Sequence, residues 1–434
     1  MRYKALLFSL IFIISACSPT NEASRPFTEI ESDILNSFDT DKVYASIKEL
    51  SNEPRVAGME SELKSSMFLT EQLELYGYKV EVQPFEFDTY FYPETVSLTV
   101  NDFNGSLSPA PFKFSVTGNI TGELIDVKNG RQSDYNEIDA EGKIVLVAAS
   151  DISFSEIVLY ATEAGATAVI VYFTKDLSHE GWALDNNHKY IPALTLSNKE
   201  GTALNDFMNK NDSIKVHLTI DGAAVTKGKS QNVIVTKKPS TYSDATDDIV
   251  IIGAHYDSVN ESPGASDNAS GTAVLLEVAR IIKDSPSQSE IRFIFFGSEE
   301  IGLKGSESYV NKMTKDEIKR TVAMFNLDMV GSADAGILTM FTVDGTLNAA
   351  TQLGNKANED LFSDTLSVKH TESSDHSSFH YAGIPSVLFS HFPLEEWYHS
   401  PNDTIDKMSN ERLENITKVI ALAILELTTP KMTE

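Results

Sequence analysis

Short apolar segments alternate with helical patterns through the carboxyl-terminal half of the chain. The strand-like runs DDIVIIGAHYDS and EIRFIFFGSEE are each followed by a helical stretch, residues 270–283 after the first and GLKGSESYVNKM after the second. VAMFNLDMVG and PSVLF continue the series, and an amphipathic helix over residues 411–427 ends it. Such alternation is typical of a sheet buried on both faces. We therefore expect an α/β fold, a mixed and mostly parallel sheet with helices on both faces, with its ligand site at the carboxyl ends of the strands.

Residues 112–220 differ in character from the rest of the chain. They contain the short β-like runs GELIDV, KIVLVAAS, TAVIVYF and IPALTLS, and one helical stretch that ends at Gly165. No cluster of acid, base or metal-ligand residues occurs in this sequence. The GKIVLV strand, the AGATAVIVY step and IPALTLS resemble the protease-associated (PA) domain, a small β-rich module. We expect a PA-like inserted domain over residues 96–228.

The amino terminus has the pattern of an export signal. Arg2 and Lys4 form a short basic start, and residues 5–14 form an apolar run. This run is too short to remain as a membrane-spanning helix in the mature protein. We therefore predict a secretory signal peptide over residues 1–17 and an exported protein.

The end of this signal, ISAC, resembles the lipobox of bacterial lipoproteins. Cys17 is the only cysteine of the chain, which excludes a disulfide within one chain, a thiolate metal site and a cysteine nucleophile. An ordinary cleaved signal that happens to contain a cysteine is the alternative. We predict that Cys17 is lipidated, that residues 18–28 form a tether, and that the protein is anchored at the membrane surface of the cell envelope.

The chain is strongly acidic, with 35 Lys and Arg against 63 Asp and Glu and a formal net charge of −28. Binding to nucleic acid requires a basic face for the phosphates, and the sequence contains no basic cluster that could supply one. The charge therefore excludes nucleic acid as a partner. Most of it is explained by a solvated acidic surface, although the same charge is compatible with bound metal cations.

Acidic and imidazole side chains stand where the predicted strands end. His255 and Asp257 follow the first strand, two residues apart, so both side chains point to the same side. A carboxylate behind a metal-bound imidazole fixes its tautomer and raises its basicity. The other candidates at strand ends and loops are Asp267, Glu299, Glu300, Asp328 and His399.

This set of side chains predicts a divalent metal site. Two imidazoles with several carboxylates and no cysteine suit zinc or a similar ion. The charges favour a pair of ions, because three ligating carboxylates and one hydroxide would balance two divalent cations. Each residue alone has an ordinary explanation as a structural histidine, a helix cap or a surface acid. Together at one edge of a sheet they indicate a site, because clustered carboxylates without a cation are costly.

The ordered motifs HYD, SDNASG, SEE, NLDMVG, SSDHSSF and YHSPNDT resemble those of the M28 family of co-catalytic zinc metallopeptidases, chiefly its aminopeptidases. The likeness covers residues 40–90 and 230–428, with the PA-like insert between them. It implies a catalytic domain made of residues 29–95 and 229–434 and a peptide substrate. In the closing motif the family often has Thr after the His, where this chain has Ser400.

The resemblance also implies a role for each candidate residue and a cofactor of two zinc ions or other divalent ions. By this likeness, His255 and Asp328 hold one ion, Glu300 and His399 hold the other, Asp267 bridges them, Glu299 is the general base, Asp257 orients His255, and Tyr398 stabilises the tetrahedral intermediate.

Asp375 and His376 of the SSDHSSF motif, and His380 just after it, keep two interpretations. The SDHxxF pattern matches the family, which places these residues near the substrate pocket. A purely structural role behind the site is the alternative, because such outer partners commonly accompany metal ligands.

Three other functions compete with an aminopeptidase. A carboxypeptidase of this fold requires a basic cluster for the substrate carboxylate, and Lys304 is the only nearby candidate. A glutaminyl cyclase generally lacks the PA-like insert. A non-catalytic binding protein is expected to have lost ligands or the base, and this chain keeps all of them.

Overall fold

A computed structural model describes six segments of the chain, residues 25–149, 151–175, 178, 181–185, 189–240 and 245–429. The predicted signal peptide, Cys17 and the tether up to residue 24 lie outside these segments. Within them, no helix has the length and apolar character needed to cross a membrane.

The chain folds into two compact units. One comprises the described residues up to Phe85 and from Lys229 onward, and the other comprises Glu86–Gly228. The first boundary falls inside the strand Val80–Phe91. The expected division after residue 95 stays a prediction.

The elements up to residue 221 fall into two groups. The amino-terminal segment contains α1 (Glu29–Asn36), α2 (Thr40–Leu50), α3 (Glu60–Leu75) and β1 (Val80–Phe91). It is followed by β2 (Thr95–Val100), β3 (Ala110–Pro111), β4 (Gly118–Asp126), β5 (Ile144–Ala149), α4 (Phe154–Glu163), β6 (Ala168–Phe173), β7 (Ala193–Leu196), α5 (Asn198–Met208) and β8 (Lys215–Asp221).

The carboxyl-terminal part alternates strands and helices along the chain. Its elements are β9 (Ala224–Lys237), β10 (Ile249–His255), α6 (Gly271–Ile282), β11 (Glu290–Phe296), α7 (Lys304–Lys312), α8 (Lys315–Arg320), β12 (Thr321–Leu327), β13 (Ile337–Thr342), α9 (Ala349–Phe362), β14 (Val368–His370), α10 (His376–Tyr381), β15 (Ser386–Phe392) and α11 (Asn410–Thr428).

The larger sheet has eight strands in the order β1-β9-β11-β10-β12-β15-β13-β14. β10 lies at its centre and pairs in parallel with β11 and β12, and β12 pairs in parallel with β15. β9 and β13 run antiparallel to their neighbours β11 and β15. The sheet is therefore mixed and mostly parallel, which confirms the prediction.

Helices cover both faces of this sheet. Every residue of β10 is buried, and successive side chains alternate between two cores. Val250 and Ile252 belong to the core that α2, α6 and α11 form with the sheet, whereas Ile249 and Ile251 pack with Tyr309 of α7 on the other face. The predicted two-sided cover is confirmed, and it explains why β10 is apolar from Ile249 to Ala254 rather than alternating.

The central parallel strands bring their carboxyl ends to one edge. His255, the last residue of β10, pairs with Phe296, the last residue of β11, and β12 ends at Leu327 on the other side of β10. The turns that follow these strands carry the acidic candidates. The topology therefore gathers side chains that are far apart in sequence.

The inserted unit has its own sheet of seven strands in the order β2-β8-β4-β5-β6-β7-β3. β4, β5, β6 and β7 pair in parallel, and β2, β8 and β3 add antiparallel pairs. Apolar side chains of β5 and β6 are buried on both faces. The unit is β-rich, as the resemblance to a PA domain implied.

Candidate metal-binding active site

Two imidazoles face opposite oxygens of a single carboxylate. Asp267 Oδ1 lies 3.3 Å from His255 Nε2, and Asp267 Oδ2 lies 3.0 Å from His399 Nε2. Each imidazole nitrogen also faces a second carboxylate, with Asp328 Oδ1 at 3.3 Å from His255 Nε2 and Glu300 Oε2 at 3.2 Å from His399 Nε2. The five predicted ligands thus form two groups that share Asp267.

Charges in this cluster are strongly coupled. Burial favours neutral imidazoles, but the carboxylates of Asp267 and Glu300 outweigh it and raise the pKa of His399 to about 10. Burial likewise opposes the charged form of His255, and Asp328 with the other acids raises its pKa. Burial, followed by the charge of Asp267, raises the pKa of Glu300 to about 7. The cluster therefore needs positive charge, which protons or metal ions can supply.

Several nitrogen and oxygen atoms of the cluster that could bind a metal ion make no hydrogen bond. Within the described residues, these buried atoms include His255 Nδ1, His399 Nε2 and Glu300 Oε1. Ligand atoms of His255, Glu299 and Asp328 lie within 4.8 Å of one another, and so do those of His255, Asp267 and Glu300. Imidazole nitrogen and carboxylate oxygen without thiolate are the donors of catalytic zinc sites. The residues present therefore fit zinc or a similar divalent ion.

The turn that carries Asp267 is held by two residues outside it. The Asp403 carboxylate accepts hydrogen bonds from the backbone N–H groups of Ser266 at 2.7 Å and Asp267 at 3.0 Å. The guanidinium of Arg55, which is fully buried, donates to the carbonyls of Tyr256 at 2.6 Å and Gly264 at 2.9 Å. The backbone at Asp267 and at the residues just before it is thus held by Asp403 and Arg55.

Asp257 anchors the turn that follows β11. Its Oδ1 accepts a hydrogen bond from the backbone N–H of Glu299 at 3.0 Å, and its Oδ2 accepts one from Glu300 at 3.1 Å. Its nearest approach to His255 Nδ1 is 3.6 Å, beyond hydrogen-bonding distance. The role of orienting His255 stays a prediction, and the contact with the turn is one that sequence reasoning missed.

Glu299 lies beside the ligand cluster, almost fully buried. It lines the same cavity as His255 and Asp328. Burial raises the pKa of Glu299, and the charge of Asp375 adds to that effect, whereas His255 opposes it. A buried carboxylate that has a raised pKa and lies beside candidate metal ligands has the properties expected of a general base.

The cavity next to these acids is about 150 Å³ in volume. Its lining includes the acidic side chains and His255, the polar residues Thr371, Ser373 and Ser390, and the largely apolar side chains of Met329, Phe341, Leu388, Phe392, Leu394 and Tyr398. A cavity that is lined by both charged and apolar groups can hold an amphipathic ligand.

Tyr398 packs directly on one of the predicted ligands. Its ring stacks on that of His399, with centroids 3.8 Å apart and planes 24° from parallel. Burial, followed by the charges of Asp267 and Asp328, raises the pKa of Tyr398. Its phenol is therefore neutral at physiological pH and can donate a hydrogen bond into the cavity.

The SSDHSSF motif contributes a residue that sequence reasoning missed. Ser374 Oγ donates a hydrogen bond of 2.8 Å to Asp328 Oδ2. Asp375 is fully buried, and neither of its carboxylate oxygens has a hydrogen-bond partner among the described residues. Burial raises its pKa to about 7.

Neither His376 of that motif nor His380, which follows it, is among the described residues that line the cavity. His376 Nε2 lies 3.1 Å from the carbonyl oxygen of Thr371, and burial lowers the pKa of His376 to about 4, so its ring is neutral and can donate there. His380 makes an edge contact with the ring of Tyr381. Both contacts are those of structural side chains.

Comparison with known proteins is consistent with this geometry. The profile of "Peptidase family M28" matches residues 232–424, and that of the "PA domain" matches residues 120–204. The aminopeptidase YwaD of Bacillus subtilis (strain 168) is 37% identical over 399 residues, which cover 90% of this chain and 85% of the relative.

Two solved structures also resemble the fold. The aminopeptidase from Aneurinibacillus sp. strain AM-1 is 41% identical, with a TM-score of 0.80 over 92% of this chain and 97% of that one. BSAP, a zinc aminopeptidase from Bacillus subtilis, is 35% identical, with a TM-score of 0.65 over 91% of this chain and 97% of that one. The chain belongs to peptidase family M28 and carries an inserted PA domain.

Proposed function

We propose that this protein is a zinc-dependent aminopeptidase that uses two metal ions to release N-terminal residues from peptides. The observation that carries the proposal is Asp267, whose two oxygens face His255 on one side and His399 on the other. The activities named for the similar proteins, one of them a zinc aminopeptidase, support it.

The five ligands divide into two sets in this proposal. His255 and Asp328 would hold one ion, Glu300 and His399 would hold the other, and Asp267 would serve both. When bound, such ions polarise the scissile carbonyl and lower the pKa of a water molecule. Three carboxylates would offset most of the positive charge, which matches the acidic character of the cluster.

The protein's own residues supply the proton transfers. Glu299 accepts a proton from the attacking water and delivers it to the leaving amine. Asp257 keeps Glu299 in place through the backbone N–H of the turn. The phenol of Tyr398 donates a hydrogen bond to the oxygen on which negative charge develops.

The cavity supports recognition of an N-terminal residue. Its acidic side chains suit the positively charged α-amine, which must lie near the scissile bond in an aminopeptidase substrate. Its apolar side chains, among them Phe341 and Leu388, suit an uncharged substrate side chain. We therefore propose that peptides with an apolar first residue are preferred substrates.

The carboxypeptidase alternative lacks its required cation. No lysine or arginine is among the described residues that line the cavity. Lys304, the candidate seen in the sequence, lies 3.2 Å from Glu307 in the first turn of α7. A substrate carboxylate would therefore meet acidic groups without a compensating charge.

Hydrolysis of aminoacyl p-nitroanilides tests the proposed function. Leucyl and methionyl substrates should be cleaved, the corresponding N-acetylated compounds should not, and a chelator should abolish cleavage until zinc is added back. Cleavage of blocked peptides from the carboxyl end would instead show a carboxypeptidase. Absence of any hydrolysis by the zinc-loaded protein would contradict both.

We also propose that the protein is exported and anchored through a lipid on Cys17. The basic start, the apolar run of residues 5–14 and the lipobox-like ISAC sequence support this proposal. In a bacterial host, radioactive palmitate should label the wild-type protein but not Cys17→Ser. Equal distribution of both forms between the membrane and soluble fractions would contradict the anchor.

A further inference from the structure

Ser298 precedes the two catalytic glutamates in an unfavourable backbone conformation. Its φ is +58°, in the left-handed region, although it is not a glycine. A side chain in this region crowds the backbone, so the conformation persists only where the surroundings hold it. Ser298 is fully buried. Its conformation sets the direction in which the chain leaves β11, and therefore where Glu299 and Glu300 point.

Glu62, from the first turn of α3, contacts this residue directly. Its Oε1 accepts hydrogen bonds from Ser298 Oγ at 3.0 Å and from Ser230 Oγ at 2.8 Å. Gly297, the neighbour of Ser298, lies so close that a Cβ there would be 2.9 Å from Glu62 Oε1. The carboxylate therefore packs against the two residues that lead into the catalytic turn.

A structural role at the start of α3 explains the contacts of only one of the two carboxylate oxygens of Glu62. Glu62 Oε2 accepts the backbone N–H of Gly58 at 2.7 Å, which is a local contact next to the helix. Oε1 is used entirely by the two distant serines. Burial, with Asp257 nearby, raises the pKa of Glu62 to about 8, so keeping a carboxylate here is costly.

We propose that Glu62 is a positioning residue for the catalytic turn. It holds Ser298 in its left-handed conformation on one side of the turn, while Asp257 holds the backbone of Glu299 and Glu300 on the other side. The inference rests on the proposed role of Glu299 as the general base. Glu62 does not line the cavity, so it acts through Ser298 and not on substrate.

Two substitutions at residue 298 separate the effect of the hydrogen bond to Glu62 from the cost of the left-handed backbone conformation. Ser298→Ala removes the hydroxyl but keeps a Cβ, so the strained left-handed conformation is no longer held by Glu62. The fraction of molecules with a correctly placed turn, and with it kcat, should fall about tenfold. Ser298→Gly also removes the hydroxyl, but glycine adopts positive φ without cost, so kcat should stay within about threefold of wild type. KM and zinc content should remain unchanged in both. Equal losses in the two variants would overturn the proposal.

Substitution of the carboxylate gives an independent test by rescue. Glu62→Ala should lower kcat as Ser298→Ala does, and the double variant Glu62→Ala/Ser298→Gly should recover most of it. Thermal unfolding, measured in parallel, should show that recovery of kcat is not recovery of stability. A double variant no more active than Glu62→Ala would refute the inference.

Glu31→Ala provides the matched control. Glu31 is another buried carboxylate of the amino-terminal segment, but it accepts hydrogen bonds from the guanidinium of Arg25 and the backbone N–H of Thr28. Its loss should lower the unfolding temperature without changing kcat.

Wild type and Glu299→Gln, assayed with the same zinc loading, separate the two proposals. If wild type is inactive, the proposed function fails. If wild type is active, Glu299→Gln is inactive and Glu62→Ala equals wild type, only the positioning role fails.

Discussion

Replacing Asp257 with asparagine separates two roles for this carboxylate. In the structure it accepts two backbone hydrogen bonds, from Glu299 at 3.0 Å and Glu300 at 3.1 Å, while His255 Nδ1 is 3.6 Å away. Asparagine retains one acceptor oxygen and places an amide N–H₂ against the other backbone N–H. One charge-assisted bond is lost, and two donors then face each other.

The expected cost follows from that geometry. A hydrogen bond to a charged group contributes about 1.5–3 kcal/mol. If the displaced turn must be restored in each catalytic cycle, kcat falls by about 10- to 150-fold at about 1.4 kcal/mol per factor of ten. Zinc content should stay at the wild-type level, because the ligand side chains are unchanged and Asp257 makes no hydrogen bond to His255.

The assay is kcat for a leucyl p-nitroanilide at saturating zinc, with bound zinc measured by mass spectrometry on the same samples. Glu317→Gln is a suitable control, since Glu317 is a capping carboxylate whose partners Thr314 and Arg292 lie outside the site. Loss of zinc by Asp257→Asn in proportion to activity would refute the anchoring role and favour orientation of His255 instead.

Three further predictions concern the general base, the metal and a carboxylate outside the site. Glu299→Gln should keep its zinc and lose about 10²–10⁴ in kcat, as expected for a general base, whereas Glu300→Ala should lose zinc as well; equal zinc content in the two would contradict this division. Chelation should lower the unfolding temperature, because the buried carboxylates then repel one another, and added zinc should restore it; an unchanged temperature would argue against a metal at the site. Although burial acts in the opposite direction, hydrogen bonds from Thr314 and Arg292 lower the pKa of Glu317 to about 2, below its unfolded value of 4.5. Its contribution to stability is therefore present above about pH 4.5 and is lost as pH falls toward 2. In Glu317→Gln, the free energy of unfolding measured with urea should vary less with pH over this range than in wild type.

The local pattern was sufficient for the central strands and for the residues at their ends. β10, β11 and β12 are mostly apolar and are bounded by polar turns, so both their positions and the acids that follow them could be predicted. The pairing register could not, because residues 40 or more apart in sequence determine it. Parallel pairing of His255 with Phe296 is what places Asp257 beside the N–H groups of Glu299 and Glu300.

Elements between residues 337 and 381 were not predicted. β14 is only three residues long and lies at the edge of the sheet, and its residues are partly or fully exposed, so it has no alternating pattern. α10 is a six-residue helix without a side-chain cap. Ser374, just before α10, bonds to Asp328 across the site, and no local signal marks that contact.

Arg55 and Glu62 show the same limit more strongly. Both come from the amino-terminal segment, and their partners are about 200 residues further along the chain. A lone arginine or glutamate in a polar stretch carries no pattern that indicates burial. Their roles depend on tertiary contacts that only the folded chain defines.

The central claim, a pair of ions joined by Asp267, is tested most directly by anomalous diffraction at the zinc edge from crystals of the zinc-loaded protein. We expect two anomalous peaks, one between His255 and Asp328 and one between Glu300 and His399, each next to a different oxygen of Asp267. A single peak, or peaks away from these side chains, would contradict it.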